Sequence, residues 1–402
     1  MKVNTGHLTY CTNIHPGKNW ADDFKALKDN FSIIKQSVSP DKPLGIGLRL
    51  SNISSLELIQ EDNLTAFKHW LTKNDAYVFT MNGFPYGEFH HTVVKADVHT
   101  PDWTTEARKD YTIRLFSILQ SLLPEGMIGG ISTSPLSYRH WFTTTADVAE
   151  AKRKATLNII DVIKELISIA NSTGRIMHLD LEPEPDGILE TGREFIDWYT
   201  DDLLSMAVPD IVASFGVSAS EAELLIKQHL CLCYDVCHFA IGYEEHAMVL
   251  NELKEKNIQV GKIQISAALK ADLDQAEVQR TAVKNSFQKF NEPTYLHQVV
   301  ALKKDGDLIR YPDLTPALAD FEHQDVVQWR AHFHVPISVH DIGALQSTQQ
   351  DIIEVLHLQK NEPFTEHLEV ETYTWEVLPE QLKIPIAASI SNELEWVIKS
   401  NV

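Results

Sequence analysis

Residues 146–182 read ADVAEAKRKATLNIIDVIKELISIANSTGRIMHLDLE. Across 146–171, apolar side chains recur at Ile159, Ile160, Ile163, Leu166 and Ile167, the spacing of a helix that buries one face. Gly174 stands where the helix should close, because glycine takes the left-handed conformation of a C-terminal cap without strain. IMHLDLE follows at once. It reads as a short strand whose alternate positions His178, Asp180 and Glu182 share one face. A long amphipathic helix running straight into a buried strand is half of a repeating βα unit, and the rest of the chain repeats it.

Near-continuous apolar runs with β-branched residues mark strands covered on both faces. They are LGIGLRL (44–50), AYVFTMN (76–82), GGIST (129–133), IMHLDLE (176–182), LCLCYDV (230–236), KIQIS (262–266), AHFHVPI (331–337) and LEVETYTW (368–375). HLTYC (7–11) is an additional candidate ahead of these eight. Helical patterns lie between them at 63–74, 107–123, 244–257 and 347–360. Eight strands each followed by a helix predict an α/β fold closed as a (β/α)8 TIM barrel, with an open doubly wound sheet as the alternative. Residues 1–402 are expected to form one barrel domain. Residues 1–43 would be an N-terminal elaboration, and 295–310 a β-hairpin insertion turning at Asp305-Gly306.

Composition narrows the function. The 402 residues hold 35 Lys plus Arg against 56 Asp plus Glu, a net charge of −21. Such a surface repels nucleic-acid phosphates and anionic lipid, so neither partner is expected. No uncharged apolar run approaches the roughly 18 residues of a membrane span, and the first residues lack the apolar core of a signal peptide. Cys11, Cys231, Cys233 and Cys237 sit in apolar surroundings without C-x-x-C spacing, which fits reduced thiols and a cytoplasmic location. No phosphate-binding loop, dinucleotide-binding turn, nucleophile elbow or zinc-protease helix is present.

Barrel chemistry takes place at the C-terminal ends of the strands. Glu182 ends one strand, Asp235 ends another with His238 three residues on, His332 and His334 alternate on a third, and Glu369 and Glu371 on a fourth. Converging buried carboxylates are costly unless something neutralises them, and a divalent cation does so while also accepting imidazole. The alternative is salt bridging to Lys or Arg, for which Arg49 is the obvious candidate. His178 reads as a hydrogen-bonded core residue. His297 on the hairpin reads the same way, with substrate contact as its other role. Tyr86 and Phe84 in NGFPYG are placed to wall off water.

CYDVCHFAIGYEE resembles the Asp-x-x-His strand end of the xylose-isomerase-like barrels, a group that includes sugar epimerases and endonuclease IV. LEPEPDG and LEVET resemble the glutamate-bearing fourth and eighth strands of that superfamily. GHLTYCTNIHPG, GIGLRLS, YVFTMNGFPYGEFH and AHFHVPI together are similar to the metabolite traffic protein EboE family. The resemblance implies a divalent ion (Mn, Mg or Zn) held by Glu182, Asp235, Gln264 and Glu371, with His238 and His334 as further donors. Gln264 departs from the histidine usual on the sixth strand, and an amide oxygen suits a hard ion better than zinc. Asn82 and Thr133 stand where the endonucleases carry paired histidines. The implied activity is that of a metal-dependent isomerase or epimerase of a sugar, cyclitol or related polyol in a bacterial metabolite pathway. Glu182 and Glu371 would be its catalytic carboxylates, with His238 steadying a hydroxyl and Arg49, Asn82, Tyr86, His332 and His297 as substrate contacts. A non-catalytic carrier and a two-metal phosphoester hydrolase are the alternatives. Related barrels often pair through their outer helices, so a homodimer is among the states open to it.

Overall fold

Eight parallel strands alternate with helices, and the chain joins the barrel earlier than its longest apolar runs predict. The structure, a computed structural model, describes residues 1–90, 92–273, 277–323 and 325–400. The barrel strands are β1 (Gly6–Tyr10), β2 (Leu44–Arg49), β3 (Ala76–Asn82), β4 (Gly129–Thr133), β5 (Met177–Leu181), β6 (Leu230–Asp235), β7 (Val260–Ile265) and β8 (His367–Val370). Each pairs in parallel with the next from β2 to β8, and β8 pairs in parallel with β1. A parallel bridge from Cys11 to Gly47 brings β1 back to β2. This is the topology of a (β/α)8 barrel.

The close approach at that seam explains the glycines of LGIGLRL. A Cβ on Gly47 would lie 1.8 Å from Glu369 Oε1 and 2.7 Å from the Tyr10 carbonyl, and one on Gly45 would lie 2.7 Å from the Phe79 ring. They serve packing inside the barrel.

Helix ends follow local chemistry. The helix Thr145–Thr173 starts with the Thr144 side chain accepting from Asp147 N and stops at Gly174, whose φ is 73°. Asn19, Ser51, Thr105, Thr191 and Ser218 cap other helices in the same way, each removing an orphaned backbone donor.

Two strand expectations are corrected. HLTYC, grouped with residues 1–43 as an elaboration, is the first barrel strand; at five residues, with His7 and Thr9 interrupting its apolar positions, it carries a weak pattern. AHFHVPI is not a barrel strand. Val326–Ala331 belongs to a second sheet, and residues from His332 onward form a loop in which His332 N donates to Gln298 O and Val335 N to Ala267 O. Phe333, Val335 and Ile337 are buried there by packing rather than by a strand ladder, and Pro336 has no N–H to offer one.

The second sheet is antiparallel and lies in the chain between β7 and β8. Its order is Leu308–Tyr311, Val299–Lys303, Val326–Ala331, Leu269–Asp272, Leu345–Ser347 and Asp341–Ile342. The first two strands are the hairpin read at 295–310, with Gly306 at φ 90°. Because the insertion leaves from the C-terminal end of β7, its return loop delivers His332 and His334 to the mouth of the barrel. All four cysteines are free and buried. Among the described residues no single helix is long and apolar enough to cross a membrane.

Candidate functional site

Three carboxylates converge at the C-terminal mouth. Glu182 follows β5, Asp235 ends β6 and Glu371 follows β8, and each offers an oxygen within 4.8 Å of the others'. All three are buried. Gln264 of β7 lies among them. Its Nε2 is 2.9 Å from Glu182 Oε1, 2.9 Å from Asp235 Oδ2 and 2.7 Å from Glu371 Oε2. An amide nitrogen has only two hydrogens, so it cannot donate fully to three oxygens. Asp235 also accepts from Ser266 Oγ at 2.6 Å and caps the short helix Val236–Ile241 by accepting from His238 N. Glu371 Oε1 accepts from Asn13 and Asn82, at 2.7 and 2.9 Å. Among the described residues, Glu182 Oε2 is buried without a partner.

The charges follow from this crowding. Burial, then Glu371, Asp235 and Glu184, push the Glu182 carboxyl well up. Burial, then Asp235 and Glu369, do the same to Glu371. Burial also pushes Asp235 up, but His238, His334 and the bonds from Ser266 and Gln264 outweigh it and leave that carboxyl below its ordinary range. Beneath the three, Lys262 is the counter-charge. Its ammonium lies 2.5 Å from Glu369 Oε2 and donates to Met81 O at 3.2 Å, fully buried.

Among the imidazoles lining the pocket, those of His238, His332 and His334 have their outer nitrogens committed. His238 Nδ1 donates to Pro183 O at 3.0 Å, and His334 Nδ1 to Glu371 O at 3.2 Å. His332 Nδ1 faces Gln298 Oε1 at 2.9 Å, and the Gln298 amide is oriented by donation from its Nε2 to Pro185 O. The Nε2 atoms of His238 and His332 face each other at 3.2 Å, a separation that needs a proton or a cation shared between them, and among the described residues Nε2 of His334 is buried without a partner. Burial and the neighbouring histidines pull His332 well below its ordinary value, and burial brings His334 to about 4. A carbonyl holding one ring nitrogen while the other points inward is the arrangement of metal-ligating histidines.

The donor set therefore fits a divalent cation. Carboxylate oxygens and inward imidazole nitrogens converge with two of their atoms orphaned, and the fixed positive charge beneath is already paired with Glu369. As placed, Gln264 presents nitrogen rather than oxygen to the carboxylates; the amide orientation follows the hydrogen-bond network, and Oε1 instead accepts from the Cys233 thiol at 3.4 Å.

Of the residues expected at the site, Glu182, Glu371, His238, His332, His334 and Asn82 line one pocket, together with Phe84. Asp235 and Gln264 lie just under that lining, joined to Glu182 and Glu371 through Gln264 Nε2. Three others lie off the wall. Arg49 spends its guanidinium on the carbonyls of Pro85 and Gly87, holding the loop that carries Phe84. Tyr86 packs edge-on against Tyr111, with ring centres 5.0 Å apart. His297 uses both ring nitrogens, on His332 O at 2.9 Å and Glu292 Oε1 at 2.7 Å; it supports His332 from behind.

Asn13, His99, Glu184 and Tyr373 also line the pocket and were missed. Glu184 follows Glu182 across Pro183, so the LEPEP repeat of acid and proline was its signal, and His99 pairs with it at 3.0 Å. Asn13 went unread because β1 was read as peripheral.

No protein-family model and no curated protein matches the chain. Solved structures align along almost its full length at low identity. A xylose isomerase-like TIM barrel protein from Mycobacterium smegmatis in complex with magnesium shares 9% identity, covering 100% of this chain and 98% of its own, with a TM-score of 0.49. The IOLI protein with a zinc atom shares 13% over 98% and 97%, at 0.47. The probable 3-DHS dehydratase AsbF of petrobactin synthesis from Bacillus anthracis shares 9% over 98% of each chain, at 0.43. The barrel assignment rests on the strand topology itself.

Proposed function

We propose that the mouth binds a divalent cation and a small sugar- or polyol-like substrate, and that the protein is an isomerase or epimerase moving a proton between a substrate carbon and a buried carboxylate. The observation that carries this is the convergence of Glu182, Asp235 and Glu371 at the mouth with Glu182 Oε2 unpartnered. Those three residues would hold the ion, and Gln264 would add its amide oxygen if the amide turned over. When bound, such an ion polarises a substrate carbonyl and stabilises charge on its oxygen.

The protein's own groups supply the rest. Glu182 reaches the pocket with Oε2 unpartnered, an oxygen free to take and return a proton where the ion engages Oε1 alone. General acid–base transfer of this kind contributes about 10²–10⁴-fold. Asn13 and Asn82 hold Glu371 in one orientation, as second hydrogen-bonding partners do in preorganised sites. His238, tethered to Pro183 O, lines the pocket with His332 beside its Nε2, and the pair would steady a substrate hydroxyl. Phe84, Phe89, Tyr295 and Tyr373 form an aromatic wall that excludes water and strengthens every charge interaction inside it. The EboE-like sequence blocks support placing the reaction in a bacterial metabolite pathway, and the reduced cysteines support the cytoplasm.

The test is incubation with candidate polyols and aldoses in deuterated water, read by NMR. Deuterium should enter at the carbon beside the carbonyl; a ligand that binds without exchange contradicts the reading. A second reading, a two-metal phosphoester hydrolase, is favoured by one observation: the inward Nε2 atoms of His238, His332 and His334. It requires two ions at this mouth and release of inorganic phosphate from a phosphoester.

A further inference from the structure

The opposite, lower end of the barrel holds ligand-type side chains that this chemistry does not use. His178 and Asp180 of β5 and Cys231 of β6 bring an imidazole nitrogen, a carboxylate oxygen and a sulfur within 4.8 Å of one another, all buried. Strand register explains the meeting. Asp180 pairs with Cys231 across β5 and β6, and alternation puts His178 on the same inward face.

Two glycines make room for the group. A Cβ on Gly261 would lie 1.9 Å from Asp180 Oδ1 and 2.7 Å from His178 Nδ1, and one on Gly130 would lie 2.4 Å from His178 Cε1 and 2.9 Å from Asp180 Oδ2. Partners are scarce. His178 Nδ1 and Asp180 Oδ1 are 2.5 Å apart, and among the described residues the Cys231 thiol donates only a long bond, to Lys227 O at 3.9 Å. Among the described residues, Asp180 Oδ2 is buried without a partner, as is Nδ1 of His367, whose ring centre is 5.1 Å from that of His178. A recess bordered by His7, His178, Cys231, Gln259 and His367 leads in from the lower face.

We propose that this group is a second, structural site for a zinc-type divalent cation, held by His178, Asp180 and Cys231 with His367 beside it as a fourth donor. Mixed nitrogen, oxygen and sulfur donors select a borderline-soft ion, whereas the oxygen-rich upper mouth accepts harder ones. The lower end of a barrel serves stability rather than catalysis, so this ion ties β5 to β6 and β8. Binding exchanges the His178–Asp180 hydrogen bond for bonds to the ion, and the proton held in that bond moves to the other nitrogen of the His178 ring. Cys231 releases its thiol proton to solvent, and no electron is transferred.

Cobalt distinguishes this site from the upper one, because a thiolate ligand gives a sulfur-to-cobalt charge-transfer band in the near ultraviolet. Full-length protein stripped of metal and titrated with Co²⁺ should show that band, and added Zn²⁺ should abolish it. The band should persist in Cys237→Ala, whose thiol lies near His332 and His334 at the upper mouth, and vanish in Cys231→Ala. No band in the wild type, or one that survives Cys231→Ala, overturns the proposal. If Cys231→Ala does not fold, the unaltered protein decides. Zn²⁺ should slow alkylation of Cys231 about tenfold, because the reactive thiolate is then engaged by metal, and leave Cys233 unchanged; equal rates with and without Zn²⁺ overturn it.

Discussion

Lys262 and Glu369 form an ion pair of 2.5 Å with neither side chain exposed, two residues before Gln264 and Glu371 on their strands. Burial alone would discharge the lysine, but the Glu369 carboxylate outweighs it and raises the ammonium pKa. The pair places one fixed positive charge under a floor of three carboxyl groups. Removing one partner of such a pair costs about 3–5 kcal/mol, while removing both costs far less. Lys262→Met should therefore destabilise the protein by that amount in urea unfolding, and Lys262→Met with Glu369→Met should recover most of it. Equal losses in the single and double variants would show that the charges are not coupled.

Gln264 sets the metal preference of the mouth. A histidine there offers an imidazole nitrogen, which zinc favours over an amide oxygen. Gln264→His should tighten zinc binding at the mouth by about tenfold or more, measured by competition with a chromophoric chelator. Unchanged affinity would mean that position 264 faces no ion.

Glu371→Gln removes one carboxylate while keeping its shape and its contacts with Asn13 and Asn82. Turnover and metal retention at the mouth should both be lost, with the thermal midpoint of the metal-free protein unchanged or raised, because mutual repulsion on the floor falls. A variant that loses activity yet keeps its metal would make Glu371 a catalytic group alone.

The fold legible in the sequence was the part written in long, local patterns. The helix over 146–171 and the strand after it stand as Thr145–Thr173 and Met177–Leu181, because periodicity and a terminal glycine agree. Glu182, Asp235 and Glu371 were legible because each closes an apolar run with an acid. What escaped depends on contacts far apart in sequence. Lys262 reads as the polar flank of KIQIS, and only closure of the barrel pairs it with a glutamate on β8. His297 reads as a hydrogen-bonded core residue with substrate contact as its other role, and only the structure shows both ring nitrogens spent on Glu292 and His332 O. The short β1 has too few residues to show a period, so Asn13 beyond it was lost as well.

Glu393 gives the protein a pH dependence away from the mouth. Fully buried, it accepts from Thr372 Oγ1 at 2.7 Å and Ile337 N at 3.0 Å. Burial outweighs those bonds and raises its carboxyl from 4.5 to about 7. A folded value above the unfolded one means the protonated acid is the favoured form. Its contribution is complete below pH 4.5 and is lost as pH rises through 7, an effect of about 3 kcal/mol. Glu393→Gln, neutral at every pH, should remove that loss, read as a flatter curve of unfolding free energy between pH 4.5 and 8. A curve as steep as the wild type's would place the titration elsewhere.

The most direct measurement is Mn²⁺ binding to metal-stripped protein, followed by electron paramagnetic resonance in the wild type and in Asp235→Asn. Mn²⁺ prefers the oxygen donors of the upper mouth, so one saturable site in the wild type and its loss in Asp235→Asn are expected. A wild type that leaves Mn²⁺ free in solution, or an Asp235→Asn protein that binds it equally well, would contradict a cation held by Glu182, Asp235 and Glu371.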